Sequence, residues 1–165
     1  MLIENFKRIM QMALLFAVQI LFMNHIHLAG YGTPLVYAAL LVYFPAGSGR
    51  VGVLLWSFVL ATLVDMFSGT PGLSAASLLV AAFFQPKLLQ RLMPKDAIED
   101  MHPTYATMGR WNHIRYFTML LFIHHFLFFL LQSFSFYNLV DLSLSASISF
   151  GLSWMVIAIT ELMRK

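Results

Sequence analysis

The sequence has no cysteine and few charged residues, and both features limit what the chain can be. Without cysteine it has no disulfide framework, no thiolate metal site and no thiol nucleophile. Charged residues make up 10% of the chain, whereas an ordinary globular domain has about a quarter. Hydrophobic residues make up 60%. The composition therefore argues against a water-soluble domain and indicates that the lipid bilayer is the main solvent.

Apolar runs separated by short polar stretches predict an all-α, polytopic membrane protein with six transmembrane helices in a single domain, residues 1–165. The predicted spans are residues 8–23, 34–44, 51–66, 71–84, 113–134 and 142–163. The second run has only 11 residues, too few for a straight helix to cross a hydrocarbon core of about 30 Å. A re-entrant segment is the alternative at that position.

The placement of Lys and Arg predicts the orientation. With six crossings and a cytoplasmic N-terminus, all ten basic residues lie on the cytoplasmic side, as the positive-inside rule requires. If residues 34–44 did not cross, Arg50 and the basic residues between Lys87 and Arg115 would be external. We therefore expect 34–44 to cross and both termini to be cytoplasmic. The basic excess then reflects orientation and gives no indication of nucleic-acid binding.

A carboxylate and a tight turn stand together in the stretch LVDMFSGTPGLSAASLL, residues 63–79. Asp65 is placed at the outer end of the third span, and it is expected to accept hydrogen bonds from the turn and from the start of the next helix. Contact with a partner or solute at the outer surface is the functional alternative. Thr70 is expected as an N-cap with Pro71 at the first helical position, and Thr33 and Pro34 likewise. The full motif is Asp65, Ser68, Gly69, Thr70, Pro71 and Gly72.

Two adjacent histidines, His124 and His125, fall near the middle of the fifth span. Neighbouring helical residues diverge by about 100°, so we expect at most one to face the bundle interior, where an interhelical hydrogen bond is the favoured role. Partner contact, and metal or proton transfer, are the alternatives. Further polar residues are predicted to form an outward contact region: Asn24, His25, His27, Gln132, Ser133, Ser135, Asn138 and Asp141.

Small residues at helical spacing predict close helix packing or partner interfaces. They are Ala13 and Ala17; Ser74, Ser77 and Ala81; and Ser143, Ser147 and Gly151, with a second serine stripe at Ser145, Ser149 and Ser153. The Phe-rich fifth span is expected to face lipid for the most part. Between Pro86 and Pro94, Lys87 and Arg91 predict a short amphipathic helix on the inner leaflet or a docking segment for a cytoplasmic protein.

Catalytic motifs are absent from the sequence: it has no HExxH, no GxSxG and no P-loop. An aspartic dyad would need a second carboxylate beside Asp65, and Asp141 belongs to a different loop. We therefore expect no enzyme, no cofactor and no metal site.

The layout of short spans, the 63–79 stretch and the IHHFLFFLLQSFSF stretch at residues 123–136 resemble the bacterial rod-shape-determining MreD family. The resemblance implies a non-catalytic inner-membrane scaffold of the elongasome. Such a scaffold would bind MreC and help organise RodA and a class-B penicillin-binding protein near MreB filaments.

This architecture is also similar to the substrate-binding subunits of energy-coupling-factor vitamin transporters. Those subunits dock through an A-x-x-x-A stripe, the spacing of Ala13 and Ala17. Against a vitamin site, the outer loops are short and offer few groups to close over a solute.

Overall fold

The computed structural model describes residues 2–26, 32–94, 101–133 and 139–163. Helices account for most of these residues. The α-helices are α1 Leu2–Leu21, α2 Arg50–Ser68, α3 Leu73–Leu92, α4 Tyr105–Met108, α5 Arg110–Gln132 and α6 Leu139–Met163, and the 3₁₀ helices are Met23–His25 and Val36–Tyr43. The prediction of an all-α fold is confirmed for the described residues.

Among the residues that the structure describes, five helical segments are long and apolar enough to cross a membrane. They are Phe6–His25, which joins most of α1 to the 3₁₀ helix after it, and segments of α2, α3, α5 and α6. The prediction of a multi-pass membrane protein agrees with them. The second predicted span, residues 34–44, is not a long helix. It contains the 3₁₀ helix Val36–Tyr43, of eight residues, which we call the central 3₁₀ helix. At a rise of about 2.0 Å per residue it is about 16 Å long.

The central 3₁₀ helix carries the chain back through the interior. Asn24 Nδ2 donates to Ser68 Oγ at 2.7 Å, which shows that α1 and α2 finish at the same end of the bundle. The chain must therefore return between them. Val36 N–H bonds Gln19 near the end of α1, whereas the Phe44 ring lies under the guanidinium of Arg8, 5.1 Å away, near its start.

The core is built around the central 3₁₀ helix, α3 and α5. Every residue from Val36 to Val42 is buried, and α5 packs on α3, α6 and the central 3₁₀ helix. Helices α1 and α6 lie at the periphery, with a smaller share of their residues buried. The expected lipid-facing Phe surface of α5 is therefore only partly present. Phe122 and Phe126 are exposed, whereas Phe117, Phe128 and Phe129 are buried.

Helix α3 is longer than the sequence predicts. It continues through Pro86 to Leu92, so the expected separate amphipathic helix is the last part of α3. A proline inside a helix removes one backbone hydrogen bond, but Pro86 and Leu89 are buried and extend the packing face of the helix. Lys87 and Arg91 are exposed on the opposite side, as the amphipathic pattern predicts.

Candidate functional site

The side chain of Asp65 joins α2 to the start of α3. Its Oδ1 accepts hydrogen bonds from the Thr70 hydroxyl and from Ser74 N–H, each at 2.9 Å, and its Oδ2 accepts from Ala75 N–H at 2.9 Å. Asp65 is buried, with 4% of its surface exposed. The backbone N–H groups of a first helical turn have no partner within the helix, and a carboxylate there also matches the helix dipole. The prediction that Asp65 fastens this hairpin is confirmed.

The predicted capping role of Thr70 and Pro71 is wrong. Helix α3 begins at Leu73, and Gly72 holds the N-cap position with a φ of 82°. Gly69 ends α2 with a φ of 67°. Two left-handed residues within four positions make this turn depend on glycine. Because Gly72 has no side chain with which to cap, Asp65 does so from the preceding helix.

Gln19 binds the start of the central 3₁₀ helix, as Asp65 binds the start of α3. Its Oε1 accepts from Val36 N–H at 2.8 Å, and its Nε2 donates to the carbonyl of Pro34 at 3.0 Å and to Asn24 Oδ1 at 2.9 Å. Gln19 is fully buried. Here too the predicted Thr33 cap is wrong, since Leu35 holds the N-cap position without a side-chain bond. After each Gly-Thr-Pro sequence, a polar side chain from the preceding long helix binds the start of the next one.

We call the hydrogen bonds of Asp65 to the start of α3 the Asp65 clamp, and those of Gln19 to the start of the central 3₁₀ helix the Gln19 clamp. A cavity of about 510 Å³ opens beside these two clamps. It lies at the end of the bundle where α1, α2 and α5 finish and α3 and α6 begin, which we call the Asp65 end. Eleven of its sixteen described lining residues are polar: Gln19, Asn24, Thr33, Ser68, Thr70, Ser74, Gln132, Ser133, Asp141, Ser145 and Ser149. Such a volume falls within the range of about 300–1,000 Å³ typical of small-molecule sites.

The cavity runs from an exposed rim to a buried floor. Gln132 and Asp141 are exposed at the rim, whereas Gln19, Ser74 and Ser149 are buried. These groups come mainly from helices and helix ends. The sequence analysis considered only the short outer loops as a source of groups around a solute, whereas helices supply most of the described lining.

The second serine stripe of α6 binds backbone that is not helical. Ser149 Oγ accepts from Thr33 N–H at 3.0 Å, and Ser153 Oγ accepts from Leu35 N–H at 2.7 Å. A Cβ added at Gly32 would overlap the side chain of Ile148, so only glycine allows this close approach. Buried backbone donors in a membrane protein need internal acceptors, and the serines provide them.

His125 extends the same network. Its Nε2 lies 2.9 Å from Ser153 Oγ, and its Nδ1 donates to the carbonyl of Leu121 at 2.9 Å. The predicted interhelical hydrogen bond is confirmed for this residue. His124 is also fully buried, which contradicts the expectation that only one of the two faces inward. Because α5 packs on neighbours on several sides, residues 100° apart on it are both covered.

The ring of His124 packs against aromatic side chains. Its ring lies edge-on to that of Tyr37, with the centroids 5.2 Å apart. Among the described residues, no three His, Asp or Glu side chains are grouped so as to hold a metal ion.

The predicted packing stripes divide into an inner and an outer set. Ser74, Ser77 and Ala81 are buried in the bundle, with Ser77 Oγ bonding the carbonyl of Leu73 in its own helix. The other two stripes lie on the peripheral helices. Their residues are Ala13, Ser143, Ser147 and Gly151, which are exposed, and Ala17, which is half-buried.

The predicted outer contact region is described in part. Gln132, Ser133 and Asp141 line the cavity together with Asn24. Gln132, which also falls within the predicted span 113–134 and was therefore expected inside the membrane, is exposed at the end of α5. His25 is exposed outside the cavity lining. His27, Ser135 and Asn138 lie outside the described residues.

Three buried polar contacts were not predicted. His113 Nε2 lies 2.9 Å from Glu161 Oε2, with both side chains at most 1% exposed. Gln85 Nε2 donates to the Tyr116 hydroxyl at 2.8 Å. The third is the Gln19 clamp. The available signal was a polar residue within a long apolar run, as at Gln19 and Glu161, which in a membrane protein requires an internal partner.

Comparisons with known proteins found no matching family model, no matching curated protein and no matching solved structure.

Proposed function

We propose that this chain is a non-catalytic scaffold of the bacterial inner membrane that resembles MreD. It would bind MreC and help organise RodA and a class-B penicillin-binding protein near MreB during lateral growth. In this proposal residues 34–44 form the second of six crossings, both termini are cytoplasmic, and the Asp65 end faces outward. The family resemblance supplies the partner identities.

The observation that carries the proposal is the uncovered outer face of α6. Ser143, Ser147 and Gly151 lie four residues apart and are exposed, and a Cβ added at Gly151 would meet no atom within 4 Å. Within the described bundle, α6 packs mainly on α5 and the central 3₁₀ helix, and residues 32–35 bond its inner serines. Small residues let helix backbones approach closely in lipid. This face therefore suits a transmembrane helix of a partner such as the bitopic MreC.

Gly151→Leu tests this proposal, with Gly52→Leu as the matched control. Both glycines lie within membrane helices and have open space where a Cβ would be, so neither substitution should disturb the fold. We expect Gly151→Leu to reduce recovery of co-expressed MreC by about tenfold, whereas Gly52→Leu should leave it within about twofold. Equal recovery with both variants would refute docking on this face.

The absence of cysteine allows the orientation to be tested directly. A single cysteine at Pro71, in the exposed turn of the Asp65 end, should react with an impermeant maleimide added to intact spheroplasts. One at Gln90, exposed near the end of α3, should react only after permeabilisation. The reverse pattern would overturn the orientation and place the Asp65 end in the cytoplasm.

The cavity favours a second candidate function, a substrate-binding subunit of an energy-coupling-factor-type vitamin transporter. Its volume suits a vitamin-sized solute. Such a subunit would co-purify with a pair of ATPases and a bound small molecule. Mild extraction followed by mass spectrometry of proteins and ligands separates it from the scaffold, which would recover MreC and no ATPase pair.

A further inference from the structure

We propose that the cavity at the Asp65 end binds a neutral saccharide. The proposal goes beyond the scaffold function and holds whether the chain acts as a scaffold or as a transporter subunit. It depends on the charge, the hydrogen-bonding groups and the aromatic wall of the cavity.

The charge of the described lining residues disfavours an anionic ligand. None of the described lining residues is basic, and Asp141 at the rim is the one carboxylate among them. A phosphate or carboxylate ligand would lose its hydration without gaining a cation from the described lining. The cavity therefore suits an uncharged ligand.

Several polar side chains of the lining remain available to a ligand. Thr33, Gln132 and Ser145 make no side-chain hydrogen bond to a described residue. Hydroxyl and amide groups both donate and accept, which matches a ligand whose hydroxyl groups do the same. The committed groups beside them are fixed in place, since Asn24 bonds both Gln19 and Ser68. Groups held in this way lose little entropy when a ligand binds.

An aromatic wall completes the site. Phe128 and Phe129 line the cavity and are otherwise buried, and their rings lie edge-on with centroids 5.4 Å apart. Sugar rings present a face of C–H groups between their hydroxyls, and that face packs on aromatic carbon. A wholly polar solute would leave this wall without a complement, and a wholly apolar one would leave the amides and hydroxyls without partners.

Binding is measured on the full chain in nanodiscs of phosphatidylethanolamine and phosphatidylglycerol, because the sugar headgroups of maltoside detergents would compete. The probe is N-acetylglucosamine, with glucose 6-phosphate and choline as anionic and cationic counter-probes. We expect saturable calorimetric binding of N-acetylglucosamine and at least about tenfold weaker binding of both charged probes. No saturable binding, or tighter binding of either charged probe, would overturn the proposal.

A second arm asks whether the sugar is free or carried by a lipid. Monoglucosyl diacylglycerol is added to the nanodiscs, with plain diacylglycerol as the reference. If the glycolipid displaces N-acetylglucosamine, the natural ligand class is a lipid headgroup; if only the free sugar binds, it is a soluble saccharide. Both outcomes support a saccharide site, and binding of neither refutes it.

Matched variants locate the site. Ser145→Leu places a larger apolar side chain in the cavity, whereas Ser147→Leu places it on the exposed face of the same helix. We expect Ser145→Leu to weaken binding at least about tenfold and Ser147→Leu to change it by less than about twofold. Equal affinities would place the sugar elsewhere and overturn the proposal.

The exposed rim provides a variant with little risk to folding. Gln132→Ala removes one amide and should weaken binding about three- to tenfold, whereas Gln90→Ala, outside the lining, should not. An unchanged affinity in Gln132→Ala would count against the proposal even if Ser145→Leu fails to fold. These assays use the isolated chain, so their failure leaves the recovery of MreC, and with it the scaffold proposal, untouched.

Discussion

Gln19 Oε1, on α1, accepts a hydrogen bond at 2.8 Å from the backbone N–H of Val36, which lies 17 residues later in the chain. This bond fixes where the chain turns back into the bundle. We expect Gln19→Leu to lower the free energy of unfolding by about 2–4 kcal/mol, since it leaves the buried Val36 N–H and Pro34 carbonyl without their partner.

Unfolding in mixed micelles with increasing sodium dodecyl sulfate measures this loss. Gln11→Leu is the control, because Gln11 is exposed on the same helix. It should stay within about 0.5 kcal/mol of the wild type. Equal stabilities of the two variants would mean that the Gln19 clamp contributes nothing.

The Asp65 clamp predicts a graded series. Thr70→Val removes one of the three donors and should cost about 1 kcal/mol, whereas Asp65→Ala removes both acceptor oxygens and should cost about 3 kcal/mol. Asp65→Asn keeps one oxygen and should fall between them. The same unfolding titration ranks the three variants, and a different order would show that the carboxylate does not hold the start of α3.

Asp65→Ala also tests whether the carboxylate contacts a partner. Recovery of MreC and cell shape should both decline with this variant by more than membrane insertion does. Asp65→Ala is expected to be less stable than Thr70→Val. If the two variants nevertheless recover MreC equally well, Asp65 acts through the turn alone and does not contact the partner.

The two serine stripes of α6 predict effects of very different size for the same substitution. Ser153→Ala leaves Leu35 N–H and His125 Nε2 without a buried partner and should cost about 1–3 kcal/mol. Ser147 bonds only the carbonyl of Ser143 in its own helix and is exposed, so Ser147→Ala should stay within about 0.5 kcal/mol of the wild type. Thermal unfolding followed by circular dichroism compares the two, and similar midpoints would contradict the assignment of an inner and an outer stripe.

The buried pair of His113 and Glu161 predicts strong coupling. Each of His113→Phe and Glu161→Leu breaks this buried contact, so each should cost about 3 kcal/mol. The double variant replaces both by apolar groups and should cost less than the sum by at least about 1 kcal/mol. A double-mutant cycle of unfolding free energies measures this coupling. Costs that add within about 0.5 kcal/mol would show that the two side chains do not depend on each other.

The sequence predicted the long helices well because their signal is local. A run of about 20 apolar residues in lipid must form a helix, since no other open structure satisfies its backbone. The role of Asp65 was also predictable, because its partners Thr70, Ser74 and Ala75 follow within ten residues. Residues 34–44 carry no such signal, since 11 residues do not decide between a crossing helix and a re-entrant segment.

The serine stripes show the limit of a pattern on one helix. Their spacing gives two faces, but it does not say which is covered. That is decided by residues 32–35, which lie more than a hundred positions away in the chain and bring the N–H groups of Thr33 and Leu35 to Ser149 and Ser153.

The sequence by itself determined that this is a helical chain with segments long and apolar enough to cross a bilayer, and that a fastened turn follows Asp65. Composition and short-range hydrogen bonding suffice for both. Only the tertiary structure decided that Val36–Tyr43 forms a buried 3₁₀ helix, that both His124 and His125 face inward, and that helix ends enclose a cavity. These features depend on which distant segments pack together. Burial is a property of neighbours in space, and a pattern along one chain segment does not contain it.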